Sequence, residues 1–111
     1  MALEKWSDRV AMARPASDAQ LGEDIGGVEE MLAHAPVDVV VDFSEMTFLG
    51  STDLARLISL RKKLNAAGTK LVLCGVPAQL HGTFQVTGLT KIFNFADNIS
   101  TALASLQMSN E

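Results

Sequence analysis

The fold is decided by residues 37–64, VDVVVDFSEMTFLGSTDLARLISLRKKL. This stretch opens at residues 37–43 with a nearly continuous run of β-branched residues, which is typical of a strand covered on both faces. A short polar turn, Gly-Ser-Thr-Asp at residues 50–53, then leads straight into a helical apolar stripe. Unpaired backbone amides at the start of a helix favour a phosphate or an acidic group. This turn, called the Ser51 turn below, is therefore the first candidate for a functional site.

The chain before this stretch is predicted to contain a hairpin and a helix. Residues 2–6 and 9–13 flank Ser-Asp and alternate weakly, as the strands of a small hairpin do. Ser17 or Asp18 offers a helix cap, and the apolar spacing that follows is typical of an amphipathic helix, which Pro36 ends. Three glycines within that helix indicate either close packing on a neighbour or local mobility.

The chain after this stretch continues the alternation of helices and strands. Gly68 is well placed to end the second helix in a left-handed conformation, and residues 70–76 are typical of a buried strand. Pro77 fits the first turn of a third helix, residues 91–95 are predicted to form a short strand, and Asp97 is expected to cap a last helix.

Alternation of this kind implies a largely parallel sheet with crossover helices. The predicted fold class is α/β. We expect a single domain over residues 1–111, with a mixed, mostly parallel sheet of about four to five strands and about four helices.

Composition narrows the classes of function. With 48% hydrophobic and 20% charged residues, the chain has the composition of an ordinary globular protein. A net charge of −4 argues against nucleic acid as a partner, because phosphate binding needs a concentrated basic surface. No window approaches the roughly 20 apolar residues of a membrane span, so we expect a soluble, cytoplasmic protein without direct membrane insertion.

Catalytic and metal-binding patterns are not found in the sequence. The single cysteine, Cys74, excludes a disulfide and fits a buried, inert thiol in a reducing compartment. His34 and His81 lie far apart, without neighbouring ligands of the kind a metal needs. Asp38 and Asp42 share one face of the predicted strand; we expect Asp42 to accept hydrogen bonds from turn amides, and a paired general acid and base is the alternative. The expectation is a protein that is not an enzyme and uses no cofactor and no metal.

Two segments carry a resemblance to a known family: VVVDFSEMTFLGSTDLARL, and after the helix KLVLCGVPAQLHGTFQVTGLTKIFNF. The segments resemble the STAS family in the order and spacing of five features: an apolar strand, an Asp-x-Ser, a Ser/Thr pair, a strand that ends in Gly-Val, and a helix that begins with Pro. The bacterial single-domain members of that family are anti-sigma factor antagonists. The resemblance covers residues 37–95 well and residues 6–35 loosely.

The resemblance assigns roles to particular residues. Asp42 and Ser44 match the structural Asp-x-Ser of the family, and Ser51 matches the serine that a partner kinase phosphorylates, with Thr52 the less favoured acceptor. Two positions depart from the family pattern: Gly50 stands where the family has aspartate, and Asp53 where it has glycine. We expect the Asp53 carboxylate to occupy amides that would otherwise hold a phosphate, while the local charge is kept.

The function that the resemblance implies is a binding switch. The partners would be a serine-kinase-type anti-sigma factor and a phosphatase that resets the modification, with the chain itself a monomer or weak dimer. The expected contact surface comprises the loop near Pro77, the first turns of the second helix and the following residues: Gly50, Ser51, Thr52, Asp53 and Arg56. For Arg56, a solvated helix face is the alternative.

Three interpretations of the Ser51 turn remain open at this point. Ser51 is a regulated phosphoacceptor, or Ser51 and Thr52 cap the helix on a constitutive binding surface, or the turn contacts a nucleotide or lipid. The alternative function is that of a non-phosphorylated STAS scaffold, such as an accessory subunit of a membrane transport complex.

Overall fold

A computed structural model describes residues 3–109, which form five strands and four α-helices. The strands are β1 (Leu3–Ser7), β2 (Val10–Ala13), β3 (Asp38–Asp42), β4 (Leu71–Cys74) and β5 (Asn94–Ala96). The helices are α1 (Asp18–Leu32), α2 (Ser51–Ala66), α3 (Ala78–Val86) and α4 (Ile99–Ser109), with a 3₁₀ turn at Leu89–Lys91.

The strands form one sheet in the order β1-β2-β3-β4-β5. β1 and β2 are the antiparallel arms of the predicted hairpin, and every later pair is parallel. The predicted α/β fold with a mixed, mostly parallel sheet is therefore confirmed. Because β2, β3, β4 and β5 run the same way, the loops that follow them meet at one edge of the sheet, which we call the carboxyl edge.

β3 lies in the middle of the sheet and is buried on both faces. Val39 and Val41 pack in the cluster that α1, α2 and α3 complete, while Val40 packs with Ala102 and Leu106 of α4 on the other face. A strand covered by helices on both sides has no solvent-facing position. This burial explains why residues 37–43 are apolar almost without interruption.

The helix boundaries confirm some sequence predictions and correct others. Ser17 is the N-cap of α1, and Pro77 lies one residue before the first turn of α3 instead of within it. The predicted strand over residues 91–95 is confirmed only in its last two residues, because the 3₁₀ turn ends at Lys91, residues 92–93 continue the loop, and β5 starts at Asn94.

The predicted cap of α4 is wrong by one residue. Asn98 Oδ1, not Asp97, accepts from the backbone N–H of Thr101 at 2.9 Å. The Asp97 carbonyl instead accepts from the Gly75 N–H at 3.3 Å, which holds Asp97 in the loop before the helix.

The glycines of α1 are explained in part by close packing. A Cβ on Gly27 would lie 2.6 Å from Leu3 Cδ2, and one on Gly22 would lie 3.1 Å from Arg56 Nη1. Gly26 faces open space, and nothing in the structure explains it. Two of the three glycines thus let neighbouring side chains approach the helix backbone.

Candidate functional site

The Ser51 turn lies at the carboxyl edge, between β3 and α2. Gly50 is the N-cap in an extended conformation, and its carbonyl accepts the first helical hydrogen bond, from the Leu54 N–H at 3.1 Å. The amides of Ser51, Thr52 and Asp53 precede that bond, and no side chain of the described residues caps them. At the positive end of the α2 dipole these amides therefore have no side-chain partner.

The two hydroxyl-bearing residues of the turn point to solvent. Ser51 and Thr52 are exposed, and within residues 3–109 neither hydroxyl makes a hydrogen bond. They occupy the first two helical positions, one step beyond the place where a side chain caps a helix. The interpretation that Ser51 and Thr52 cap α2 is therefore wrong, because Gly50 holds the cap position.

Asp53 points inward and is only 2% exposed. Its Oδ2 accepts from the Gly50 N–H at 3.0 Å, the bond by which a third helical residue reaches back to its N-cap. Asp53 thus occupies the Gly50 amide and leaves the first three helical amides free. The expectation that Asp53 occupies amides that would otherwise hold a phosphate is met only at Gly50, and the carboxylate itself is buried. Asp53 holds the shape of the turn and is not itself presented to a partner.

Arg56 contacts buried groups of the fold and is also partly exposed at the surface. Its Nη1 lies 3.8 Å from Asp53 Oδ1, and its guanidinium lies over Gly22 of α1. The side chain is still 44% exposed. Thr52 precedes Arg56 by four residues, so both lie on one face of α2. Arg56 therefore borders the Ser51 turn while it neutralises a buried carboxylate.

Asp42 anchors the start of the loop that leads to the Ser51 turn. Its Oδ1 accepts from the Ser44 N–H at 2.9 Å, which confirms the predicted bond to a turn amide. Its Oδ2 accepts from Arg14 Nε at 3.0 Å. Gly75 has φ +63°, and a Cβ there would lie 2.3 Å from Asp42 Oδ1. Arg14 was not identified from the sequence, and Gly75 was noted only as part of the Gly-Val strand end; together with Asp42 they fix the carboxyl edge.

Asp38 belongs to the opposite end of β3. Its Oδ1 accepts from the Lys70 N–H at 2.9 Å, at the point where the chain enters β4. Each of the two strand carboxylates therefore bonds a different backbone amide at a different edge of the sheet. The alternative of a paired general acid and base at Asp38 and Asp42 is excluded by this separation.

Phe48 is a surface feature that the sequence analysis did not single out. It is 69% exposed, whereas its neighbours Met46 and Leu49 are buried. Its ring carbon Cε2 would lie 3.2 Å from a Cβ on Gly50, so the ring lies directly against the turn. The signal in the sequence is an aromatic residue in the loop between the strand and the helix. Gln79 at the start of α3 also reaches this loop, with Nε2 3.4 Å from the Thr47 carbonyl.

The remaining candidates for chemistry are separate from this site. Burial, and then the nearby charge of Asp42, raise the pKa of the Cys74 thiol to about 11, so it is a protonated, buried thiol as expected. His81 lines a small cavity of about 130 Å³ with Phe95 and Asp97. In the part of the chain that the structure describes, no three His, Cys, Asp or Glu side chains group so as to hold a metal ion. None of the helices between residues 3 and 109 is long and apolar enough to cross a membrane.

The comparison with protein families identifies the class of this protein. The STAS domain matches residues 2–102, nearly the whole chain, and the protein therefore belongs to the STAS domain family.

Solved structures of the same fold include both signalling and transport relatives. An anti-sigma-factor antagonist (STAS) domain protein from Planctomyces limnophilus is 18% identical, with a TM-score of 0.79 over 95% of this chain and 97% of that one. The unphosphorylated form of the anti-sigma factor antagonist SpoIIAA is 15% identical, with a TM-score of 0.80 over 95% and 94%. A sulfate transporter family protein from Wolinella succinogenes is 19% identical, with a TM-score of 0.76 over 89% and 85%. At these identities the likeness establishes the fold, and the function has to be argued from the site.

Proposed function

We propose that this protein is a cytoplasmic anti-sigma factor antagonist that acts by binding a partner protein. The observation that carries the proposal is the open start of α2, where the exposed Ser51 and Thr52 lie beside the exposed ring of Phe48. Exposed aromatic residues are enriched at protein interfaces, and free amides and hydroxyls beside them can bond to a partner. Structural likeness to antagonists such as SpoIIAA supports the same conclusion.

The proposed contact surface follows the exposed residues of the site. It comprises Phe48, Gly50, Ser51, Thr52 and Arg56, with the start of α3 at its border. Asp53 is left out of this surface because it is buried. The partner that fits is an anti-sigma factor of the serine-kinase type, and the protein itself needs no catalytic group for this role.

Phosphorylation of Ser51 is the proposed regulatory step. A phosphate there adds about −1.5 to −2 charges next to three free helical amides, so the protein tolerates it. The buried Asp53 carboxylate repels the added charge, and Arg56 offsets part of that repulsion. The same charge pressed against a partner without a matching cation weakens the complex. A phosphatase then restores binding.

The experiment incubates the protein with ATP and each kinase-type anti-sigma factor encoded in the same genome, and follows intact mass. We expect the mass of one phosphate on the wild type and none on Ser51→Ala. Ser59→Ala, which removes an exposed serine further along α2, is the matched control and should be modified normally. Absence of phosphate with every such kinase contradicts the switch.

The second candidate is a STAS scaffold in a membrane transport complex. The likeness to the Wolinella succinogenes sulfate transporter family protein favours it. This candidate uses the same surface without modification of Ser51. Co-purification of the tagged protein with a transporter subunit, unaffected by Ser51→Glu, is the result that would select it.

A further inference from the structure

A groove runs beside the Ser51 turn, between the loop that follows β2 and the loop that follows β3. Its volume is about 230 Å³, and we call it the Phe48 groove. It is lined by the following residues: Ala16, Ser17, Asp18, Met46, Thr47 and Phe48. Phe48 forms one wall of the groove and also lies against Gly50, so the groove and the Ser51 turn form one continuous surface.

The charge of the groove is negative and uncompensated. Asp18 is exposed, and its Oδ1 accepts from the Ala19 N–H at 2.9 Å. Among the described residues no ion pair involves Asp18, and no lysine or arginine lines the groove. Arg14, the basic residue nearest along the chain, is already paired with Asp42. The groove therefore presents a carboxylate oxygen that the protein itself does not neutralise.

The other walls suit a long side chain with a cationic end. The exposed ring of Phe48 offers a π face, which attracts a cation. Met46 borders the groove but is only 2% exposed, so apolar contact with methylene groups comes mainly from the Phe48 ring. A guanidinium is the best match, because it is planar, stacks on aromatic rings and donates two hydrogen bonds to one carboxylate.

From this complementarity we propose that the Phe48 groove binds an arginine side chain of the partner protein, held between the Asp18 carboxylate and the Phe48 ring. The assignment rests on the proposed function and names the chemistry of the partner surface: a basic side chain must project beside the segment that contacts Ser51. A competing explanation is that Asp18 only stabilises the first turn of α1, where an acidic residue favours the helix.

The first experiment needs no protein partner. N-acetyl-arginine amide is titrated into the ¹⁵N-labelled protein, with N-acetyl-citrulline amide as the uncharged control of the same shape. We expect saturable shifts of the Ser17, Thr47 and Phe48 amides with arginine only, and their loss in Asp18→Asn. Equal shifts with both compounds, or none with arginine, would overturn the assignment.

The second experiment measures affinity for the anti-sigma factor. We expect Asp18→Asn to weaken binding about 10- to 100-fold and to reduce its salt dependence. Phe48→Leu, which keeps apolar bulk but removes the ring, should weaken binding about 3- to 10-fold. Glu23→Gln, an exposed acid of α1 outside the groove, is the matched control and should bind like the wild type.

The outcomes separate the groove from the proposed function. If the wild type binds the anti-sigma factor and both groove variants bind equally well, the groove assignment is overturned while the function stands. If arginine amide shifts the groove residues but no anti-sigma factor binds, the function fails and the groove remains a guanidinium site. If Asp18→Asn lowers only thermal stability, Asp18 serves the helix alone and the assignment is wrong.

Discussion

The helices α1 and α2 start at the same edge of the sheet, yet their first turns are built in opposite ways. In α1, Ser17 Oγ accepts from the Gln20 N–H at 3.2 Å and Asp18 Oδ1 from the Ala19 N–H, so two of the first three amides have side-chain partners. In α2 the cap is a glycine, and none of the first three amides has such a partner. The acid in the first turn of α1, Asp18, is exposed, whereas the acid in the first turn of α2, Asp53, is buried.

This difference separates a helix start whose amides already have side-chain partners from one whose amides remain available for binding. A capped turn satisfies its own donors and has few amides to offer an anion. An uncapped turn keeps those donors for water, for a partner or for a phosphate on its own serine. In α2 the only side chain that reaches back, Asp53, fixes the backbone of the turn without covering the amides.

The largest loss of stability is expected from Gly75→Ala. This substitution disturbs the carboxyl edge, at which both α1 and α2 begin. At φ +63° a methyl group is strained, and it would also meet the Asp42 carboxylate. We expect a loss of about 2–4 kcal/mol in the free energy of unfolding, measured by urea denaturation. Gly68→Ala is the matched control, since Gly68 has φ +77° but faces open space. It should cost only about 1–2 kcal/mol, and equal losses would mean that the contact with Asp42 contributes nothing.

Asp53→Ala should remove the carboxylate that holds the backbone at the start of α2. The Gly50 amide loses its acceptor and Arg56 loses its partner, so we expect a loss of about 1–3 kcal/mol. Asp53→Asn keeps an acceptor oxygen and should recover part of the loss. Denaturation of the two variants side by side measures this, and wild-type stability of Asp53→Ala would show that the carboxylate does not hold the turn.

Serine-to-alanine substitutions test whether the first turn of α1 is capped by a side chain and that of α2 is not. Ser17→Ala removes a cap and should cost about 1 kcal/mol, whereas Ser51→Ala removes an unbonded hydroxyl and should change stability by less than about 0.5 kcal/mol. Thermal unfolding of both variants under one condition is sufficient. If Ser51→Ala is the more destabilising substitution, the description of an open α2 start is wrong.

The smallest change in the free energy of unfolding is expected from substitution of Asp24, the buried acid in the middle of α1. Asp24 lies inside the fold, and neither carboxylate oxygen has a hydrogen-bond partner among the described residues. Desolvation, and to a lesser extent the charge of Glu23, raise the pKa of Asp24 above its ordinary value of 3.8. The folded protein therefore binds this proton more tightly than the unfolded chain. The stabilising contribution is full at low pH and is lost as pH rises through the folded pKa.

Asp24→Asn should flatten the decline in unfolding free energy as pH rises above 3.8, the ordinary pKa of this carboxyl. Glu30→Gln, an exposed acid of the same helix, is the control and should leave the slope unchanged. Denaturant titrations across this range provide the measurement, and an unchanged slope in Asp24→Asn would contradict the account of a desolvated carboxyl.

Much of the fold could be predicted because apolar spacing reports burial directly. Residues 37–43 had to lie between two layers of helices, and the short alternating segments before Pro15 paired as a hairpin. The bond from Asp42 to the following turn was also predictable, since aspartate accepts from amides two residues on. Each of these features follows from the periodicity of apolar residues or from a hydrogen bond between residues close together in the sequence.

The construction of the Ser51 turn could not be predicted, because it depends on where the chain enters the helix. Ser51, Thr52 and Asp53 are all capping residues by type, yet the extended conformation falls on Gly50. The inward direction of Asp53 follows from its bond to Gly50, and the exposure of Phe48 follows from the burial of Leu49 beside it. A one-residue displacement moved the cap of α4 from Asp97 to Asn98 for the same reason.

We propose that the start of α2 is a binding site and that charge at Ser51 regulates it. The most direct test is to titrate the anti-sigma factor into Ser51→Glu and Ser59→Glu and to measure the two affinities by calorimetry. Both variants add one negative charge to an exposed position of the same helix. We expect Ser51→Glu to lose at least about tenfold in affinity while its thermal stability is kept, and Ser59→Glu to bind like the wild type. Equal affinities for the two variants would contradict it.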